Sequence, residues 1–242
     1  AISYSNAEDR QEVRDRLVAI LATGLRDAMP GSDHQVAYAN GLATAATTDA
    51  ADLLKGWLSG EEVPEGLSID QGMRWRLVTA LARVGRVGED EIAAELQRDN
   101  TISGSEQAAG ARAAMPTAQA KQAAWQRATT DDSVPNETYR QLVMQFIQPD
   151  QTEVLSPYVD PYLELCKAID SHEGQWAKAG HAQVQNALMW LFPSTEVIDA
   201  AWLNKLEGWV SDNDPGSTVR RVLAERADNA RRILRCQEAS RG

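Results

Sequence analysis

Cysteine, histidine and aromatic residues are all scarce in this chain of 242 residues, and each scarcity removes a class of protein. Two cysteines, Cys166 and Cys236, stand far apart without a CxxC spacing. That argues against a disulfide framework, points to a reducing compartment and reads both thiols as inert. Only three histidines occur, His34, His172 and His181. A helical zinc site needs two histidines four positions apart with a glutamate between them, so that both rings face one metal. His172-Glu173 begins such a pattern, but Trp176 stands where the second histidine belongs. Surface or capping roles are the expectation for all three. Long apolar runs are also missing, as is a basic N-terminal region followed by a hydrophobic stretch, so no membrane partner is expected and the default location is cytoplasmic. Positive charge is in deficit. Lysine and arginine number 24 against 35 acidic residues, a formal charge of -11 that would repel phosphates, so nucleic acid is not an expected partner.

Alternating apolar and polar runs of strand length are absent too, and alanine is abundant, as at Ala43–Ala46 and Ala108–Ala114. What remains is helical periodicity. Val13, Leu17, Ile20, Leu21 and Leu25 fall on one face, with Ser5 and Glu8 in the spacing of a capping box. Helices are then expected over about 34–46 and 48–59, and from a Ser68–Gln71 capping box to Val84. Further ones are expected over 89–96, over 103–115 with a Ser103–Glu106 cap, and from Thr117 through Trp125. Pro135 opens the next, a hairpin is expected around Pro157 and Pro161, and Asp214-Pro215 is read as the start of the last helix. The segments 32–60 and 70–99 each read as helix, break, helix. Roughly a dozen helices with short connections and no low-complexity linker predict one all-α domain over 1–242, antiparallel helix pairs stacked in a HEAT- or armadillo-like curved superhelix.

No chemistry-bearing pattern interrupts this array. There is no Gly-x-Ser-x-Gly elbow, no P-loop and no Gly-x-Gly-x-x-Gly after a strand. The acidic pairs Glu61-Glu62, Glu89-Asp90 and Asp131-Asp132 sit at helix starts or in loops, where they complement helix dipoles. The arginines from Arg220 to Arg235, interrupted by Glu225 and Asp228, read as a solvated helix face. Among the tryptophans, Trp75, Trp125, Trp190, Trp202 and Trp209 lie in amphipathic helices and are expected to pack between them or to line a groove.

Four short stretches carry a resemblance. They are Pro30-Gly31-Ser32-Asp33-His34-Gln35, Ala111-Arg112-Ala113-Ala114-Met115-Pro116-Thr117, Phe146-Ile147-Gln148-Pro149-Asp150-Gln151 and Leu191-Phe192-Pro193-Ser194-Thr195. In this order they resemble the C-terminal helical domain of actinobacterial aminopeptidase N proteins, members of the zinc-dependent, gluzincin-type aminopeptidase family. The resemblance implies that the zinc motif His-Glu-x-x-His and the exopeptidase motif Gly-x-Met-Glu-Asn belong to an earlier catalytic domain of the same polypeptide. Neither occurs here. It further implies that the chain is a C-terminal segment, consistent with its beginning at Ala1, and that further helices of the domain precede it. No cofactor is then expected in this chain, zinc being held by the parent enzyme.

The resemblance and the repeat pattern together suggest a non-catalytic helical bowl that closes over the catalytic domain and governs access of peptide substrate. Polar and aromatic residues near helix ends on its concave face are the candidate peptide contacts: Gln145, Gln148, Asn186 and Trp190. The alternative is a free-standing helical-repeat scaffold that binds a partner protein, and an independent hydrolase is the weakest reading.

Overall fold

The computed structural model describes residues 2–6 and 8–240, and among these there is no β-strand. The helices are α1 (Arg10–Asp27), α2 (Asp33–Ala45), α3 (Ala51–Ser59), α4 (Gln71–Arg83), α5 (Glu89–Arg98), α6 (Ile102–Ala114) and α7 (Ala118–Thr130). They continue with α8 (Asn136–Phe146), α9 (Thr152–Leu155), α10 (Val159–Asp170), α11 (His181–Trp190), α12 (Ala200–Asn213) and α13 (Ser217–Ala239). The all-α architecture expected from the sequence is the one observed.

Alternate helices touch. In succession α2, α4, α6, α8, α11 and α13 pack side by side, while α3, α5, α7 and α12 each pack against the inner helix that follows. The result is a stacked, curved superhelix. Its packed pairs are α3 with α4, α5 with α6 and α7 with α8, whereas α2 with α3 and α4 with α5 scarcely meet. The sequence units 32–60 and 70–99 are therefore out of phase with the packing by one helix. The breaks at Gly60 and Gly85 read alike in sequence, and only the packing shows that the helices across the first meet while those across the second scarcely do.

Several start signals are displaced. Asn6, rather than Ser5, accepts the Asp9 N–H at 2.8 Å and donates to the Asp9 carboxylate at 2.9 Å, one position along from the expected box. Asp70 caps α4 in place of Ser68, and Thr101 caps α6 in place of Ser103. In each case a better-placed oxygen lies next to the periodic segment. Proline residues 157 and 161 do not make a hairpin. They occupy first turns of a 3-10 turn (Ser156–Tyr158) and of α10, which follow α9 almost without interruption. Asp214, in the left-handed region at φ 44°, ends α12 instead of opening α13, whose cap position is Gly216.

Because the inner helices run parallel, their C-terminal carbonyl ends gather along one rim, which would be an unsatisfied negative edge. Side chains meet it. Arg83 donates to the Ala46 carbonyl, Gln151 to those of Arg83 and Ala114, Tyr162 to that of Leu188 and Arg226 to that of Met189. Lys121, with no exposed surface, donates to the carbonyls of Ala113 and Phe146 at 2.7 Å each.

Two apolar cores result. One runs from Leu25 to Ala111 around Trp57, Leu77 and Leu81; the other runs from Ala113 to Ala230 around Tyr139, Phe146 and Tyr162. They meet at α6. Helix α1 bridges both: Arg10 pairs with Glu196 at 3.1 Å and Arg14 with Asp150, while further along Gly24 faces the Tyr38 ring and Gly41 faces Leu21. Asn6 also donates to the Ser240 carbonyl at 3.0 Å, so the segment before α1 lies against the end of α13.

Candidate peptide-contact groove

A groove of about 650 Å³ crosses the inner layer. Each wall is a helical stripe. Helix α4 contributes Gly72, Trp75, Arg76, Thr79 and Arg83, α6 contributes Ser103 and Gln107, and α8 contributes Gln141 and Gln145, with Gln148 just beyond its end. Spacings of three and four put these side chains on one face, opposite the apolar residues Tyr139, Leu142, Val143 and Phe146 that α8 buries.

The groove floor is braced by buried polar contacts. Trp75 donates its indole N–H to Asp99 at 2.7 Å, and Asp99 also accepts the Thr101 hydroxyl at 2.8 Å. Beside it Glu95 accepts from Arg74 at 2.6 and 2.8 Å and from Gln71 at 3.0 Å. Burial raises the Glu95 pKa, but the hydrogen bonds from Arg74 and Gln71 outweigh it and leave the value below the usual carboxylate range. Gln148 is buried and donates to Gln145 at both its main-chain and side-chain oxygens, which orients the pair. Arg76 and Arg83 give the groove positive charge within an acidic chain.

The four residues expected to contact peptide divide between two places. Gln145 and Gln148 lie together in the groove. Trp190 lines a separate, more apolar cavity of about 260 Å³ with Met144, Met189, Phe192 and Arg226, whose guanidinium lies 5.8 Å from a Trp190 ring centroid. Asn186 is half-buried on α11 and lines neither. Trp75, one of the tryptophans expected to pack or to line a groove, is in its wall, and the groove residues missed in the sequence are Arg76, Arg83, Gln107 and Gln141. For Gln141 a signal existed, since 141, 145 and 148 form a polar stripe with helical spacing, whereas nothing in the sequence says which face of α4 looks inward.

No set of residues among those described fits a metal. His34, His172 and His181 are all exposed on separate elements, and no group of three His, Cys, Asp or Glu side chains comes together among the described residues. His172 sits in a left-handed turn at φ 56°, with its Nδ1 3.0 Å from the Asp170 carbonyl. Cys166 is buried and Cys236 exposed, each a free thiol, and burial pushes the Cys166 thiol up to about 12. The arginine-rich face of α13 is largely paired: Arg220 with Asp214, Arg221 with Glu225, Arg231 with Glu207 and Arg232 with Asp228. None of the helices described is long and apolar enough to cross a membrane.

Comparison with known proteins agrees with this architecture. Residues 3–232 match the model of the ERAP1-like C-terminal domain. The chain is also 37% identical over 237 residues to an aminopeptidase N from Streptomyces lividans, an alignment covering 98% of this chain but 27% of that protein. A strand-free array of stacked helices, matched along nearly its whole length, belongs to the ERAP1-like C-terminal domain family.

Proposed function

We propose that residues 1–242 form one non-catalytic domain of a zinc-dependent aminopeptidase N, closing over the catalytic domain of the same polypeptide so that the inner helices wall a peptide chamber. The observation that carries this reading is the amide-lined groove across α4, α6 and α8 in a chain of this family. A peptide presents an N–H and a C=O at each residue whatever its side chains, and a carboxamide both donates and accepts. Gln107, Gln141 and Gln145 therefore suit main-chain contact that does not select a sequence. Gln148 holds Gln145, while Trp190 offers a second contact in its separate cavity at the end of α11. In this reading the chain supplies neither zinc ligand nor nucleophile. It positions the peptide beyond the scissile bond and excludes water on closure.

The test is reconstitution. This chain, combined with the zinc-binding portion of an aminopeptidase N of the same family, should associate and increase hydrolysis of short peptides more than of an aminoacyl anilide too small to reach the groove. Joint Gln141→Leu and Gln145→Leu changes should raise KM for peptides by roughly tenfold, the loss of one or two hydrogen bonds, and leave the anilide unaffected. Failure to associate, with no effect on peptide turnover, would favour a free-standing scaffold instead.

A further inference from the structure

Arg83 stands out among the rim cations. It ends α4, its Nη2 donates to the Ala46 carbonyl at 2.6 Å, and no carboxylate within the described residues pairs with it. Its Nε and Nη1 have no protein acceptor among the described residues, nor are they sealed from solvent without a partner. The side chain borders three cavities: the groove, and two more of about 400 and 290 Å³ that it shares with Arg14.

The surrounding carboxylates are engaged elsewhere, with one exception. Asp150 binds Arg14, Glu196 binds Arg10 and accepts the Asp150 N–H, and Asp99 holds Trp75. Asp49 lines the 400 Å³ cavity without pairing with Arg83. Burial, together with the nearby Arg14 charge, lowers the Arg83 pKa to about 10. A half-buried guanidinium beside a second one, with two nitrogens that no described protein atom accepts from, is an arrangement that a bound anion complements.

We infer that Arg83, with Arg14 behind it, anchors a site for a small oxyanion of carboxylate type at the rim of the groove. A planar guanidinium matches two oxygens of one anion, and the cavities admit a carboxylate on a small molecule or at the end of a peptide. Both sources share this chemistry. The site is a property of this chain and does not rest on the chamber reading.

The test uses the chain alone, titrated at constant ionic strength with acetate, sulfate, trialanine free acid and trialanine amide, by calorimetry and by the shift in thermal midpoint. Saturable binding of the anions, absent for the amide, is expected. Arg83→Met and Arg83→Gln should each weaken it by tenfold or more, whereas Lys55→Met, which removes an exposed charge from α3, should not. Circular dichroism and the midpoint in buffer without any of the four ligands identify a variant that has merely failed to fold, and the Gln variant keeps a donor for Ala46. Trialanine acid binding more tightly than acetate identifies a peptide end as the ligand. Equal binding of acetate and sulfate, without gain for the peptide, supports the site with a free anion as its ligand. No saturable binding by the native chain, or unchanged affinity in both Arg83 variants, overturns the inference.

Discussion

Lys121 puts an amine in a place with no exposed surface and no counter-ion among the described residues, between the carbonyl ends of α6 and α8 and 5.3 Å from the Phe146 ring centroid. A neutral amine still has two N–H donors for two carbonyls, so the ammonium adds charge without adding a needed bond. Burial accordingly lowers its pKa from 10.5 to about 7. The folded value lies below the unfolded one, so between the two the unfolded chain holds the extra proton and stability rises with pH. The stability difference between the native chain and Lys121→Met should therefore grow in favour of the native chain as pH rises from about 7 to 10.5, by at most ~1.4 kcal/mol per unit. Denaturant midpoints across that range check it, and a flat difference rejects it. Tyr139 offers a second case. Its hydroxyl is buried without a partner among the described residues and burial raises its pKa, so Tyr139→Phe should leave stability unchanged or raise it by about 1–2 kcal/mol in chemical denaturation. Neither site was legible in the sequence, where Lys121 sits among alanines and glutamines like a solvated helix lysine and Tyr139 looks like any amphipathic tyrosine.

Among the elements, α6 is the most tightly set. A Cβ on Gly104 would lie 2.1 Å from the Asp99 carbonyl oxygen, a collision with backbone that no rotamer relieves. Alanine usually stabilises a helix relative to glycine by about 1 kcal/mol. Here the sign reverses: Gly104→Ala should destabilise the fold by ~1–3 kcal/mol, as overpacking does, and loosen Asp99 from Trp75. Thermal unfolding measures the first and the indole N–H resonance of Trp75 the second. Helix existence was readable at this scale, because alanine content, proline breaks and apolar spacing are local. The exact caps of α1, α4 and α6 were not, since several oxygens in a row can accept the same N–H and final packing selects among them. The Asp214-Pro215 start signal misled for the same reason, the aspartate being taken by the end of α12.

Across the whole molecule, the two apolar cores are tied by α6, by Gln151, which reaches carbonyls at the ends of α4 and α6, and by α1. Arg14 is buried where it meets Asp150, so removing it takes away the tie rather than a surface charge. Arg14→Ala should speed amide hydrogen exchange in the first half of α1 while α4 and α8 stay protected, and exchange read by mass spectrometry tests that ordering. The inner layer also explains what the sequence could and could not say of the groove. Gln145 and Gln148, singled out for their place near a helix end, line the groove, whereas Trp190 and Asn186 belong to another part of the array. Helical class, approximate segments and stacking of hairpins were determined by the sequence alone, because propensity and periodicity act over a few residues. Which helices pair, which face of α4 turns inward and where Arg83 is left without a carboxylate were decided only by tertiary structure, because each depends on side chains brought together from distant parts of the chain.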